Sequence, residues 1–255
     1  NMPMTHRYFF SLYVVLIAPI GSLFAQPNPQ SLWNQWRSGQ RQETQRFQEM
    51  AANESARCII ENRFEKWDLV TEAKISRQTG SFEPNRRFLN ATLNGRAVSD
   101  PGNLDFGGQA EWRPRFRRVC QASVVLNPGI LLNLEAKPNA KMENLDGNPA
   151  YRIKLEVKNT ALPIRAAEVW ISRRDGRLLA ARLVRPLPFP RLDEPGGLPP
   201  PDPLIMNLYF DRLQGIDLIK RSEVTVTLKR KMRGQVFHTV VQLNTQYNGF
   251  AFFEK

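Results

Sequence analysis

Apolar and charged residues alternate most clearly in the second half of the chain. From 151 to 158, Tyr, Ile, Leu and Val alternate with Arg, Lys, Glu and Lys. This two-residue period is typical of a strand with one buried and one solvated face. The stretch 168–172 repeats the pattern. The turn residues Arg174-Asp175-Gly176-Arg177 then predict a β-hairpin whose second strand covers 178–184.

Further strands are predicted on both sides of this hairpin. Asn94-Gly95 is the strongest short hairpin signal in the sequence, because both residue types accept the positive φ that a tight turn requires. Asn127-Pro128-Gly129 predicts another turn. The other strand-like stretches are 59–74, 88–93, 119–126, 130–134, 204–210, 216–231, which is long enough to contain a bulge, and 235–244.

One stretch predicts a helix. Residues 31–56 lack proline and are rich in Gln, Arg, Glu and Ala, and Ser31 is a plausible N-cap. Trp33 and Trp36 are three positions apart and would share one side of this helix. We expect that side to pack against the rest of the fold; the alternative is a partner-binding stripe.

These elements predict a mainly β (α+β) protein with nine or ten antiparallel strands and one or two helices in a single domain. No period recurs that would predict a propeller or a solenoid. Residues 186–203 contain eight prolines and cannot form an interior strand, so they are an insertion. If the strands form one curved sheet, their inward residues line either a packed core or a ligand cavity.

The N-terminal segment predicts export. A short basic region at His6 and Arg7 precedes a nearly unbroken apolar run from 8 to 20, and Ala25 is a small residue suited to cleavage. We therefore predict a signal peptide at 1–25, a domain at 26–255 and a periplasmic or secreted location. The alternative is a retained anchor, but a membrane-spanning helix needs about 20 apolar residues.

The net charge of +12 indicates an anionic partner. Export argues against chromosomal DNA and favours an anionic membrane surface, so no nucleic acid is expected. Arg113, Arg115, Arg117 and Arg118 form one basic patch, with two aromatic residues, Trp112 and Phe116, nearby. Such residues each contribute about 1 kcal/mol near an anionic leaflet. The alternative is that these arginines belong to a solvated face with no partner.

The predicted export bears on the state of the two cysteines. In an oxidising compartment Cys58 and Cys120 can form a disulfide, which would stabilise the fold by roughly 4 kcal/mol in the chain-entropy model. We favour this disulfide, and the alternative is two buried thiols.

Enzymatic chemistry has little support in the sequence. Two His and two Cys leave little material for metal or nucleophilic centres, and no phosphate-binding or hydrolase motif occurs. His238 lies in a strand-like stretch, where a lone His is usually structural. Asp211, Asp217 and Glu223 are spread over two predicted strands without a sugar-binding groove. We therefore predict a non-enzymatic protein with no catalytic residues, no cofactor and no metal.

Several motifs resemble a known superfamily. The segment Leu145-Asp146-Gly147-Asn148-Pro149-Ala150-Tyr151-Arg152-Ile153 is followed by the hairpin Glu168-Val169-Trp170-Ile171-Ser172…Asp175-Gly176-Arg177-Leu178. Together they look like the centre of the bacterial outer-membrane lipoprotein-sorting carriers, the LolA-like superfamily. Leu208-Tyr209-Phe210-Asp211, Gly215 and the long strand after it are similar to that superfamily's C-terminal half. The segment from Phe88 to Arg96 resembles a subset of its members.

This resemblance implies a strongly curved antiparallel sheet that forms an unclosed half-barrel capped by helices. Its apolar concave face would hold the acyl chains of a lipid or lipoprotein, and the protein would be a monomer. The alternative function is an envelope interaction or regulatory protein that senses lipoproteins or membrane partners through its basic patches. The expected apolar wall consists of Tyr151, Ile153, Leu155, Val169, Ile171, Leu179, Leu183, Val224, Val226 and Leu228.

Overall fold

A computed structural model describes residues 28–78, 85–101, 104, 131–158, 164–185, 204–232 and 235–254. Within these ranges one α-helix precedes eleven strands, and a short 3₁₀ turn lies at Leu131–Asn133. The elements are α1 (Pro29–Thr44), β1 (Phe47–Glu61), β2 (Lys66–Gln78), β3 (Asn85–Leu93), β4 (Arg96–Ala97), β5 (Glu135–Leu145), β6 (Asn148–Glu156), β7 (Ala166–Ser172), β8 (Leu178–Arg185), β9 (Leu204–Leu213), β10 (Ile216–Met232) and β11 (Gln235–Glu254).

All eleven described strands form one antiparallel sheet in the order β4-β3-β2-β1-β11-β10-β9-β8-β7-β6-β5. β4 and β5 are the two edges and do not pair with each other, so the sheet is not closed into a barrel. The predicted fold class is confirmed. Every neighbouring pair except β1 and β11 is consecutive in the chain. Two-residue turns join β3 to β4, β5 to β6 and β9 to β10, whereas residues 186–203 join β8 to β9.

Three two-residue turns set the register of their hairpins. Asn94-Gly95, Asp146-Gly147 and Gln214-Gly215 each place a residue at φ 50° before a glycine at φ 79–82°. Two successive positive φ values define the type I′ turn, whose twist matches that of paired strands. The hairpin predicted from Asn94-Gly95 is confirmed by the pairing of Leu93 with Arg96.

The helix prediction for 31–56 was wrong at both ends. Asn28 is the N-cap instead of Ser31, since its side chain accepts a hydrogen bond from the Gln30 amide at 3.0 Å. The helix ends at Thr44, and β1 begins at Phe47. From 50 to 60 every second residue of β1 is buried, so pairing with β2 and β11 outweighs the helical propensity of its Ala and Glu residues.

Three more predictions need correction or fall outside the described ranges. Residues 130–134 contain a 3₁₀ turn instead of a strand, and β5 at 135–145 was not predicted. The predicted strand at 119–126 and the Pro-rich segment 186–203 lie outside the described residues. The bulge expected in the long strand is confirmed by a register shift between Ile219 and Arg221.

The main core lies on the face of the sheet that packs against α1, and we call this the inner face. Trp33 and Trp36 of α1 are buried in the same apolar cluster as Val169 of β7 and Leu243 of β11. On the opposite, outer face, Arg152 bonds Glu143 at 3.0 Å and Glu168 at 2.8 Å. The division into a buried and a solvated face that the alternation predicted is therefore confirmed for β6.

Within the described ranges, no helix combines the length and apolar character of a transmembrane span.

Candidate ligand-binding face

The register of the sheet arranges the inner-face side chains in rows, because directly opposed residues on neighbouring strands lie side by side. One row, here called the apolar row, crosses ten strands from β3 to β5 without a charged or hydroxyl side chain. All of its members except half-buried Leu93 are buried. They are Leu93, Leu69, Cys58, Leu243, Val224, Met206, Leu183, Ala167, Leu155 and Ala136.

Most of the predicted wall residues lie on the inner face. Leu179 is not part of the core cluster, and it is the extra residue of a β-bulge, in which Trp170 pairs with Ala180 and Ile171 with Leu178. Leu178 is 1% exposed and takes the inner position, whereas Leu179 is half-buried. The side chain of Leu228 lies outside the described parts. The eight that are buried in the core are Tyr151, Ile153, Leu155, Val169, Ile171, Leu183, Val224 and Val226.

α1 crosses the inner face and is held to the sheet by side chains along its buried side. Near its start, the Trp33 indole donates to the Leu134 carbonyl oxygen at 3.1 Å, next to the beginning of β5. The rings of Trp33 and Trp36 stack with centroids 4.9 Å apart. Leu32, Trp33, Trp36 and Gln40 form one buried side at helical spacing. The expectation that the two tryptophans share a packing side is confirmed.

The middle of α1 is held by a fully buried carboxylate. Asp217, at the start of β10, accepts hydrogen bonds from the Trp36 indole at 2.8 Å and the Leu178 amide at 2.9 Å. Arg212 of β9 binds the same carboxylate through two nitrogens at 2.8 and 2.9 Å. This contact with Asp217 raises the pKa of the Arg212 guanidinium. The Gln40 side chain also bonds the Asp217 amide and carbonyl oxygen. We call this set the Asp217 network.

A second row of inner-face residues changes polarity along its length, and we call it the mixed row. Its β2, β11 and β10 members are Thr71, Thr245 and Ser222, each at most 1% exposed. Within the described structure, none of their hydroxyl oxygens has a hydrogen-bond partner. In register order the row is Ala91, Thr71, Ala56, Thr245, Ser222, Leu208, Ala181, Val169, Ile153 and Ala140.

A buried ion pair lies beside the polar part of the mixed row. Glu54 is two residues before Ala56 on β1 and shares its face, and its carboxylate is 2.8 Å from the Arg86 guanidinium of β3. Their side chains are 1% and 12% exposed. The sequence predicted a helix at 31–56 and so did not place Glu54 on a buried strand face, and it did not single out the three hydroxyls. The alternation of β1 from 50 to 60 is the signal that would have placed Glu54 on a buried face.

Cys58 is a buried free thiol in this structure, in contrast to the predicted disulfide, and Cys120 lies outside the described residues. Burial raises the pKa of Cys58 to about 12, with a smaller contribution from the charge of Asp68. The predicted basic patch of Arg113, Arg115, Arg117 and Arg118 also lies outside the described residues.

One end of the sheet exposes aromatic groups. Phe64, in the turn between β1 and β2, is 74% exposed, and its ring centroid is 5.6 Å from that of Phe237 at the start of β11. Val236 beside it is 44% exposed. The guanidinium of Arg63 lies 6.0 Å from the Phe64 ring. The neighbouring β10–β11 hairpin carries Lys229-Arg230-Lys231 and Arg233 in its sequence.

The described residues contain no group of three or more His, Cys, Asp or Glu that could hold a metal ion. His238 is exposed on β11 opposite Lys229. Of the acidic residues considered for catalysis, Asp217 is occupied by the Asp217 network and Asp211 is exposed near Lys220. Glu223 bonds the Tyr209 hydroxyl at 3.3 Å. The arrangement of Asp217 is that of a structural carboxylate, since all of its bonds fix α1, β8 and β9.

No family model and no curated protein matches the sequence. Several solved structures are similar in fold at low identity. A DUF1329 family protein from Desulfovibrio piger has 11% identity and a TM-score of 0.37, covering 88% of this chain and 93% of its own. A domain from Vibrio parahaemolyticus, described as outer membrane lipoprotein-sorting, has 9% identity and a TM-score of 0.37, covering 86% and 93%. A LolA superfamily protein from Nitrosomonas europaea has 10% identity and a TM-score of 0.33, covering 86% and 94%.

Proposed function

We propose that this protein is a periplasmic carrier that binds the acyl chains of a lipid or lipoprotein on its inner face. The observation that carries the proposal is the apolar row, which runs across ten strands on one side of an unclosed sheet. With a strand spacing of about 4.8 Å, the nine steps of this row give a path of roughly 43 Å.

Apolar contact is sufficient to hold such a ligand. Each methylene group that leaves water contributes about 0.8 kcal/mol. α1 covers part of this face through Trp33 and Trp36, so a bound chain would lie between the helix and the sheet or displace neighbouring segments. The open edges at β4 and β5 leave the sheet free to widen, because no strand pairing closes it.

Ligand capture provides the test. Native mass spectrometry of the protein purified from its own periplasm should show co-purifying lipid, and the delipidated protein should take up a fluorescent fatty acid. Ala181→Leu adds volume to the middle of the inner face, where Ala181 is 1% exposed, and should weaken uptake. Arg182→Leu places the same side chain on the outer face and is the matched control. Absence of both co-purifying lipid and uptake would mean that the inner face is a packed core.

A second candidate function is interaction with an anionic membrane surface in an envelope-regulatory role. It is favoured by the exposed Phe64, which lies beside Phe237 and close to the basic β10–β11 hairpin. Aromatic and basic side chains together suit the lipid–water interface. Co-sedimentation with vesicles should be stronger for anionic than for zwitterionic lipid and weaker for Phe64→Ser.

Leu89→Ser is the control, because Leu89 is an exposed residue of the edge region on β3. Changing Arg113, Arg115, Arg117 and Arg118 to Glu tests the predicted basic patch in the same assay. Equal sedimentation with both vesicle types would exclude this second candidate.

A further inference from the structure

Three buried hydroxyls without partners occupy the mixed row of the inner face. Burying a hydroxyl without a hydrogen bond costs about 1–3 kcal/mol. Thr71, Thr245 and Ser222 all lie in this state within the described structure. In the same row, strands β9 to β6 carry Leu208, Ala181, Val169 and Ile153, which shows that the row accommodates apolar side chains. On a purely structural face, a hydroxyl without a partner would cost stability at each of these three positions.

The hydroxyls are close together. Thr245 is directly opposite Ser222 in the β10–β11 register, which places their Cβ atoms about 5 Å apart. Thr71 is two strands from Thr245, at about 10 Å, and Ala56 is the residue between them. Because Ala56 has no side chain beyond its Cβ atom, it does not separate the hydroxyls with a larger group.

The charge around these hydroxyls selects the kind of polar group they can bind. Each hydroxyl supplies one donor. Among the described residues, Glu54 lies two positions before Ala56 on the same face of β1, and its carboxylate pairs with the Arg86 guanidinium at 2.8 Å, so these two charges compensate one another. An anionic phosphate would need a cation that is not already paired, whereas an uncharged carbonyl oxygen needs only a neutral donor.

We propose that Thr71, Thr245 and Ser222 form a subsite for the ester carbonyl oxygens of an acylated lipid. The acyl chain would continue along the mixed row over Leu208, Ala181 and Val169. This inference rests on the proposed carrier function and specifies the polar part of its ligand. The boundary between β10 and β9, where the row changes from hydroxyl to apolar, fixes where the ester ends and the hydrocarbon begins.

Competition against the fluorescent fatty acid tests this inference. The two competitors are a monoacylglycerol and an alkane of matched chain length. We expect wild type to prefer the ester, and the triple variant Thr71→Val, Thr245→Val, Ser222→Ala to lose about tenfold or more of that preference, since one neutral hydrogen bond is equivalent to roughly fivefold. Thr225→Val on the outer face is the matched control.

Thermal unfolding separates this role from a structural one. Removing partnerless buried hydroxyls should raise the melting temperature of the ligand-free triple variant, whereas a structural role predicts a lower one. The single variant Ser222→Ala allows the same comparison of melting temperatures with a smaller change to the core.

The competition experiment has three informative outcomes. Wild type that binds ester and alkane equally would overturn the subsite and leave the carrier proposal standing. Wild type that binds neither would overturn both, and a triple variant that keeps its ester preference would overturn the subsite alone.

Discussion

The indole nitrogen of Trp36 donates a hydrogen bond of 2.8 Å to the carboxylate of Asp217, across 181 positions of sequence. This bond connects the inner side of α1 to the beginning of β10. Since the same carboxylate binds Arg212 and the Leu178 amide, it also connects the β9–β10 turn to the β7–β8 hairpin. One buried acidic residue therefore helps to set the position of α1 over the inner face, together with the Trp33 bond to Leu134.

Replacing Asp217 should strongly destabilise the fold. Asp217→Ala leaves the Trp36 indole and the Leu178 amide without their acceptor and the Arg212 guanidinium without its partner. We expect the free energy of unfolding to fall by about 3 kcal/mol, as for other broken buried pairs. Urea denaturation with an unchanged m-value measures this loss.

Asp211→Ala is the matched control for that experiment. Asp211 is six residues away and is exposed, at 3.5 Å from the exposed Lys220 amine. Its replacement should change the free energy of unfolding by less than about 0.5 kcal/mol. Equal effects of the two substitutions would contradict the role assigned to the Asp217 network.

The Cys58 thiol should be unreactive in the folded protein. Burial raises its pKa to about 12, compared with about 8.5 for a free thiol, so the reactive thiolate is roughly a thousandfold scarcer near pH 8. In a Cys120→Ser background, a disulfide reagent should label native Cys58 far more slowly than the urea-unfolded chain. Native labelling within tenfold of the unfolded rate would contradict this prediction.

The same pKa shift predicts a dependence of stability on alkaline pH. Because the folded pKa of Cys58 lies above the unfolded value, the thiol contributes its full stability below about pH 8.5 and loses it as the pH rises towards the folded pKa. The free energy of unfolding of Cys58→Ala should therefore depend less on pH above about pH 8.5 than that of wild type. Denaturation curves of both proteins between neutral and alkaline pH measure the difference.

Arg57 should control the ionisation of Asp68 on the outer face. Its guanidinium binds the carboxylate through two nitrogens at 2.9 and 2.6 Å and holds the pKa of Asp68 below its usual range. The stability that this contact provides is present above the unfolded pKa of Asp68 and is lost as the pH falls. Arg57→Gln should raise the Asp68 pKa towards the ordinary value in an NMR titration. Arg46→Gln, which removes a separate pair with Glu43, should leave it unchanged.

The same substitution should have opposite effects at two glycines. Gly215 has φ +82°, and an added Cβ would lie 3.4 Å from the Glu43 side chain, so Gly215→Ala should destabilise by about 1–2 kcal/mol. Gly39 is exposed in α1 with nothing within 4 Å, so Gly39→Ala should stabilise by about 0.5–1 kcal/mol. Thermal melts of both variants check the sign, and a stabilising Gly215→Ala would contradict the turn geometry.

The strands with local signals could be predicted from the sequence, and those without could not. β6, β7 and the Asn94-Gly95 turn were recognised because alternation and turn chemistry depend on adjacent residues. The first part of β1, residues 47–56, was mistaken for helix because its Gln, Glu and Ala residues favour a helix, and only pairing with β2 and β11 on both sides makes it a strand. Leu179 was assigned to the inner face because a bulge, which shifts the alternation by one residue, leaves no mark in the sequence.

The sequence by itself determined the mainly β class, the apolar residues of the hairpin β7–β8 and the resemblance to lipoprotein-sorting carriers. Only the tertiary structure decided which side chains meet across the sheet. Trp36 reaches Asp217, Glu54 reaches Arg86, and three hydroxyls from separate strands enter one row. The physical reason is that these contacts depend on register and on the placement of α1, which are set by the pairing of distant strands and not by the order of neighbouring residues.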